Sequence, residues 1–150
     1  MSLEKYQQKR KFDITSEPKG KVEKHIDLKK MPIFVVHDHY ASHHHHDLRL
    51  EENGVLKSWA IPKLTPIDPE VKRLAIQVED HPFEYANFTG TIPEGQYGAG
   101  EVKIFDKGTY RTLNKTDDLW DIEFNGEKVK GNYILTRFTK EPKNWLIFKK

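Results

Sequence analysis

Residues 44–51, HHHDLRLE, run straight into Glu52-Asn53-Gly54-Val55, and this stretch constrains the fold more than any other. Successive side chains of a β-strand point to opposite faces, so Leu48 and Leu50 mark a buried side and gather His45, Asp47, Arg49 and Glu51 on the other. Asn-Gly tolerates the positive φ angles of a type I′ turn and predicts a two-residue hairpin. Its returning strand, 55–61, then carries Trp59 opposite Leu48 on the core side, with Ser58 and Ala60 opposite Arg49 and Asp47. Small neighbours there leave room for a ligand. Pro62 ends the ladder because it has no N–H to donate. Strict register puts Lys63 on the core face, so it reaches the polar side only through a kink at Pro62.

The polar side has the composition of a metal and anion site. An imidazole and a carboxylate two residues apart on a strand lie about 6.5 Å apart at Cα, close enough for His45 and Asp47 to share one cation. His39 is expected to supply a third donor from before the strand, with Tyr40, Ala41 and Ser42 as the turn. Two histidines and one carboxylate leave coordination positions open, as a catalytic site needs, whereas closed structural zinc sites draw on Cys, and this chain has none. Mixed nitrogen and oxygen donors suit manganese, iron, cobalt or zinc alike. His44 and His46 fall on the Leu48 side and read as structural or supporting. The run of four histidines is internal and leads into a strand, unlike a purification tag.

At 150 residues the chain is expected to be a single domain, a basic arm over 1–30 preceding a core over 31–150. A hydrophobic fraction of 36% is low, but 11% aromatic residues and three Trp argue against disorder. Net charge is only +2, so any nucleic acid surface must come from clustering, and Lys5, Lys9, Arg10, Lys11, Lys19, Lys21, Lys24, Lys29 and Lys30 cluster in the arm. The arm reads equally as a nucleic acid contact or as a solvated, flexible segment. Leu3 and Tyr6 at helical spacing suggest a short first helix. No apolar run reaches the roughly 20 residues of a membrane span and no signal peptide opens the sequence. With Cys absent, a cytoplasmic location is expected.

Further along, 71–81 alternates, with Leu74, Ile76 and Val78 on one side and Arg73, Gln77, Glu79 and His81 on the other. Extended, that strand separates Arg73 from His81 by about 26 Å, so the two do not grip one phosphate. Pro82 reads as a first helical residue, which brings Tyr85 onto the face of His81. The glycines of GTIPEGQYGAG lack the Lys-Ser/Thr pair and following helix of a phosphate-binding P-loop. They read instead as a turn that lets backbone pass close to another element. Strands are expected at 101–105, 110–113, 119–124, 128–138 and 145–148, with Asn125-Gly126 as a second hairpin signal. Many short strands with little helical periodicity indicate an antiparallel barrel or sandwich.

The motifs taken together are more specific. KR-x-F-x-x-T-x-EP from Lys9 to Pro18, H-x5-H-x-D-x-R-L-E from His39 to Glu51, GVLKSWAIPK from Gly54 to Lys63, KRLA from Lys72 to Ala75, VEDHP from Val78 to Pro82 and G-x-IPEGQYGAG from Gly90 to Gly100 cover most of the chain. They resemble the 3′-phosphoesterase module found in bacterial DNA ligase D and as stand-alone archaeal and bacterial proteins. The resemblance implies a mainly β fold, a compact antiparallel β-barrel with short flanking helical segments. It implies a manganese-dependent 3′-phosphodiesterase and 3′-phosphomonoesterase, with cobalt or zinc as substitutes for manganese. Such an enzyme removes a 3′-terminal ribonucleoside and then the 3′-phosphate from DNA primer-template ends, leaving a 3′-hydroxyl. It makes His39, His45 and Asp47 the metal ligands, Arg49, His81 and Tyr85 the phosphate-contacting or catalytic group, and Lys63, Arg73, Arg10 and Glu17 supporting residues. His81, at an ordinary imidazole pKa, suits donation of a proton to the leaving group. The expected protein is a monomer working beside a separate DNA ligase and polymerase. One position departs: the family's Arg-Asp-Phe is here Arg10-Lys11-Phe12, a reversal of charge within the arm. The competing class is a non-catalytic nucleic acid binding module whose metal only orders the fold; a phosphatase of small metabolites is a third.

Overall fold

Period-two alternation recurs along most of the chain, and it builds a wall of nine antiparallel strands. The computed structural model describes residues 3–20 and 31–150, so Lys21, Lys24, Lys29 and Lys30 of the basic cluster lie outside the described residues. The elements are helix α1 (Glu4–Gln8), strands β1 (Ile33–Tyr40), β2 (His44–Glu52), β3 (Val55–Ile61) and β4 (Lys72–Pro82), a 3₁₀ turn (Phe83–Asn87), and strands β5 (Gly90–Ile92), β6 (Gly100–Thr116), β7 (Leu119–Asn125), β8 (Lys130–Arg137) and β9 (Asn144–Lys149). Strand order is β1-β2-β3-β4-β9-β8-β7-β6-β5, and β1 also pairs with β6. That pairing closes eight strands into a barrel, excluding the sandwich, and leaves β5 outside the ring on β6.

Every ring strand contributes to one interior cluster, which includes Phe34, Val36, Leu48, Leu50, Trp59, Ala75, Tyr110, Trp120, Tyr133 and Trp145. Trp59 is its hub: fully buried, it meets Trp120 and Trp145 edge-on at 5.9 and 5.7 Å, the preferred quadrupole geometry. A second cluster forms on the outside of the wall, where Val35, Leu56 and Val102 meet Tyr6, Tyr85, Phe88 and Ile92. The arm is therefore docked over residues 3–20 rather than solvated: Leu3 and Tyr6 are buried, and the Tyr6 hydroxyl donates to the Pro18 carbonyl. Lys11, the position of reversed charge, is exposed.

Register follows the hairpin signals. Glu52 pairs with Val55 across Asn53 (φ +52°) and Gly54 (φ +83°), and Leu48 faces Trp59, Arg49 faces Ser58 and Asp47 faces Ala60, as expected. Asn125-Gly126 opens the β7–β8 turn, where a side chain on Gly126 would collide with the Asp106 carboxylate, Phe34 and the Val129 carbonyl. Asp106 accepts the backbone N–H groups of Lys107, Glu127, Lys128 and Val129, tying that turn to the end of the barrel.

Three expectations are corrected. His39 lies within a strand, since β1 runs to Tyr40 and pairs His39 directly with His45. The strands expected at 101–105 and 110–113 are one continuous β6. In β4, Leu56 pairs with His81 but Ser58 with Val78, so one residue of β3 faces two of β4. This bulge inverts the alternation: Arg73 and His81, expected on one side, do not share a face.

Candidate metal and phosphate site

On the outer wall, β1 and β2 place His37 opposite Asp47, His39 opposite His45 and Val35 opposite Arg49. β3 adds Ser58 and Ala60 beside them, and the bulge in β4 turns His81 onto the same surface. The arm, the 3₁₀ turn and loop 93–99 roof this patch. Between them is a cavity of about 230 Å³ lined by residues that include Arg10, His39, His45, Asp47, Arg49, Glu79, His81, Tyr85 and Tyr97. Lys63 is exposed and Arg73 half-buried, and neither lines it.

One donor atom each from His39, His45 and Asp47 lies within 4.8 Å of the others, and the group can hold a metal ion. The hydrogen bonds fix which nitrogens face inward. His39 Nε2–H donates to the Gly98 carbonyl at 2.7 Å, leaving Nδ1 toward Asp47 Oδ2 at 3.2 Å. His45 Nδ1–H donates to the His43 carbonyl at 2.8 Å, leaving Nε2 toward Asp47 Oδ1 at 3.3 Å. Carbonyls can only accept, so both rings are held as the tautomer whose bare nitrogen points at the carboxylate, the outer support that metal-bound imidazoles require. Gly98 presents this carbonyl from a left-handed backbone conformation (φ +77°) that favours glycine, and a side chain on Gly100 would strike the Tyr40 carbonyl. The glycine turn thus passes close to another element, as expected. Burial would raise the Asp47 pKa, but its contacts with the His39 and His45 rings and the Arg49 charge hold it well below the usual carboxylate range.

Arg49 is 4% exposed. Its Nε donates to His37 Nδ1 at 3.1 Å, Nη2 lies 3.6 Å from Asp47, and the guanidinium sits 4.8 Å over the Tyr85 ring. Nη1 is buried with no hydrogen-bond partner among the described residues, and an unpaired buried donor costs roughly 1–3 kcal/mol, more when charged. His37 completes the support: its Nε2–H donates to the Phe88 carbonyl at 3.1 Å, and burial beside Arg49 pushes its pKa down to about 3. Sequence reasoning missed His37; its signal was the His-x-His spacing with His39 on β1.

The arm supplies the other wall. Arg10 bridges Glu17 at 2.9 Å and Glu79 at 3.1 Å, and Lys9 adds a second contact to Glu79 at 2.9 Å. Tyr85, on the 3₁₀ turn, donates its hydroxyl to Glu17 at 2.7 Å, and burial holds the phenol protonated, well above pH 10. Pro82 caps that turn as the last residue of β4 rather than starting a helix. His81 Nδ1–H donates to the Glu79 carbonyl at 2.9 Å, so Nε2, 3.2 Å from Arg10 Nη2, is the acceptor. Burial, Arg49 and Arg10 together push its pKa well below 6.5. The free site therefore holds His81 neutral, where an ordinary pKa was expected. Three cations, Lys9, Arg10 and Arg49, balance three carboxylates, Glu17, Asp47 and Glu79. A divalent ion added to that set leaves two positive charges, the complement of a phosphate dianion.

The sequence model of the DNA ligase D 3′-phosphoesterase domain matches residues 37–137. The multifunctional non-homologous end joining protein LigD of Pseudomonas aeruginosa is 42% identical over 98% of this chain and 18% of its own length. The LigD of Mycobacterium tuberculosis is 48% identical over 69% of this chain and 14% of its own, and that of Mycolicibacterium smegmatis 44% over 75% and 16%. The chain thus spans less than a fifth of these relatives. No helix among the described residues is long and apolar enough to cross a membrane. With the profile running from the first strand of the site to the end of β8, the chain belongs to the DNA ligase D 3′-phosphoesterase domain family.

Proposed function

We propose that this protein is a metal-dependent phosphoesterase that heals DNA 3′ ends, removing terminal ribonucleosides and 3′-phosphates to leave a 3′-hydroxyl, in end-joining repair beside ligase and polymerase activities. The observation that carries this reading is Arg49: a buried guanidinium on the same sheet face as the His39, His45 and Asp47 group, with one nitrogen, Nη1, that has no hydrogen-bond partner among the described residues. Manganese suits the two imidazoles and carboxylate, with cobalt or zinc as substitutes. When bound, the ion supplies Lewis acidity at the phosphate and a nucleophile at neutral pH.

The chain's own residues do the rest. Arg49 offers a planar fork for two phosphate oxygens, held in place by His37 behind it and the Tyr85 ring beneath it. Arg10 adds positive charge from the arm side, itself fixed by two carboxylates, so catalysis is mainly positioning and preorganised electrostatics. His81 takes up a proton once phosphate charge offsets the two guanidiniums beside it, and delivers it to the leaving oxygen. Tyr85 keeps its proton and steadies the phosphate edge.

Incubation with manganese and a primer-template ending in one ribonucleotide or a 3′-phosphate tests the reading. Shortening of the primer, lost in His39→Ala, is the expected result. Binding without cleavage would favour the non-catalytic module, and turnover of small esters alone the metabolite phosphatase. His81→Ala with metal binding intact lowers turnover; unchanged turnover excludes the acid role.

A further inference from the structure

A pocket that encloses a whole small ligand holds roughly 300–1,000 Å³, whereas this cavity holds about 230 Å³. It accommodates a phosphate, and the nucleoside attached to that phosphate must extend through the mouth. At the mouth stands Tyr97, on loop 93–99, which lines the cavity and is nonetheless 47% exposed. Its ring is propped from the arm side: Lys9 Nζ is 4.6 Å from the ring centroid and 3.4 Å from the hydroxyl, and the Arg10 guanidinium is 5.2 Å from the centroid. Both cations are anchored on Glu79. On its other flank the next residue, Gly98, is pinned by His39. The ring is therefore held at a fixed distance from the candidate metal donors while keeping half its surface in solvent, which contributes little to folding.

The geometry points to Tyr97 as the platform on which the terminal nucleobase stacks while its phosphate occupies the cavity. Tyr97 is then a positioning and specificity residue that separates a nucleotide end from a phosphate ester without a base. Every base has a π-face, so the platform tolerates all of them, and the cations behind the ring give it a fixed orientation. This inference rests on the reading of the cavity as the phosphate site of a nucleic acid end.

The test uses duplex primers with a 3′-phosphate on either a normal terminal nucleotide or a tetrahydrofuran abasic residue, comparing kcat/KM for the wild type, Tyr97→Ala, Tyr97→Leu and Tyr97→Phe. Base stacking on an aromatic ring is worth about 5- to 150-fold, so the wild type prefers the base-bearing end by about fivefold or more. Tyr97→Ala and Tyr97→Leu bring that ratio toward one, and Tyr97→Phe keeps it. A wild type without preference, or a Tyr97→Leu variant that retains the wild-type ratio, overturns the platform while leaving the phosphoesterase reading intact. Failure of the wild type to release phosphate from either end overturns both.

Discussion

Phe34, Val36, Leu48 and Leu50 point into the barrel, while Val35, His37, His39, Asp47 and Arg49, at the alternate positions of the same two strands, point out of it. Both sets are buried. The inward set needs only shape, and meets it with edge-on aromatic pairs around Trp59. The outward set needs partners, and nearly every polar atom has one, down to the carbonyls of Gly98, His43 and Phe88 that fix three imidazole tautomers. The lesson is that one wall serves stability on one side and chemistry on the other, separated by a single residue step. The interior makes the wall rigid, and the site inherits that rigidity.

The largest expected break of this division is on the inner side. Trp59→Ala should cost about 3–5 kcal/mol by guanidinium denaturation, yet leave manganese affinity of the folded fraction within a few-fold; a loss of affinity matching that of a donor deletion would show that the two sides are not separable. Arg10→Met tests the roof, where the inner rule does not hold: stripping Glu17 and Glu79 of a buried partner should cost about 3 kcal/mol and abolish activity together. His39→Ala should weaken manganese binding, by calorimetry, more than the about 10–100-fold typical of an outer partner, while metal-free stability moves by about 1 kcal/mol or less.

Acid sharpens the comparison because depressed histidines lie on both sides, His37 and His81 outside and His46 inside. Burial lowers His37 on the outer surface to about 3, and lowers His46, on the Leu48 side against Phe105 and Thr65, to about 4. Such groups take protons preferentially in the unfolded chain, whose imidazole pKa is about 6.5. Stability is therefore intact above pH 6.5 and is lost as pH falls toward those values, by up to about 1.4 kcal/mol per pH unit for each. His46→Gln should remove the inner share of that slope from metal-free melting curves and leave the share of the outer histidines. Smallest of all, Arg111→Ala breaks an exposed pair with Glu123 on neither buried surface and should shift stability by less than about 0.5 kcal/mol.

The sequence was most readable where local chemistry dictates geometry. Asn53-Gly54 set the β2–β3 register, and Leu48 and Leu50 set the phase that brings His45, Asp47 and Arg49 together. It was less readable where the chain breaks its own period. Nothing in the clean alternation of 71–81 announces the bulge after Val78, yet that bulge delivers His81 to the site and keeps Arg73 from its face. β1 was obscured because Val35 interrupts the apolar–polar rhythm, so His37 went unnoticed. The long-range pairs of Arg10 with Glu17 and Glu79 depend on how the arm docks, which no short-range pattern encodes. The family resemblance supplied Arg10 and Glu17, and did not supply the neutral state of His81, which follows from two guanidiniums beside a buried ring.

His39 and His45 face each other across a single hairpin, with Asp47 two residues beyond, so the candidate donors span nine consecutive positions. A hairpin closes in about 1–10 μs, far ahead of the arrival of His81 and Tyr85 at the pace of synthesis. A nascent chain that has left the ribosome only as far as Ile61 already contains all three donors and both strands that carry them. An ion held by these three donors would need no ligand beyond Asp47, whereas the rest of the pocket lining waits for His81 and Tyr85, far later in the chain.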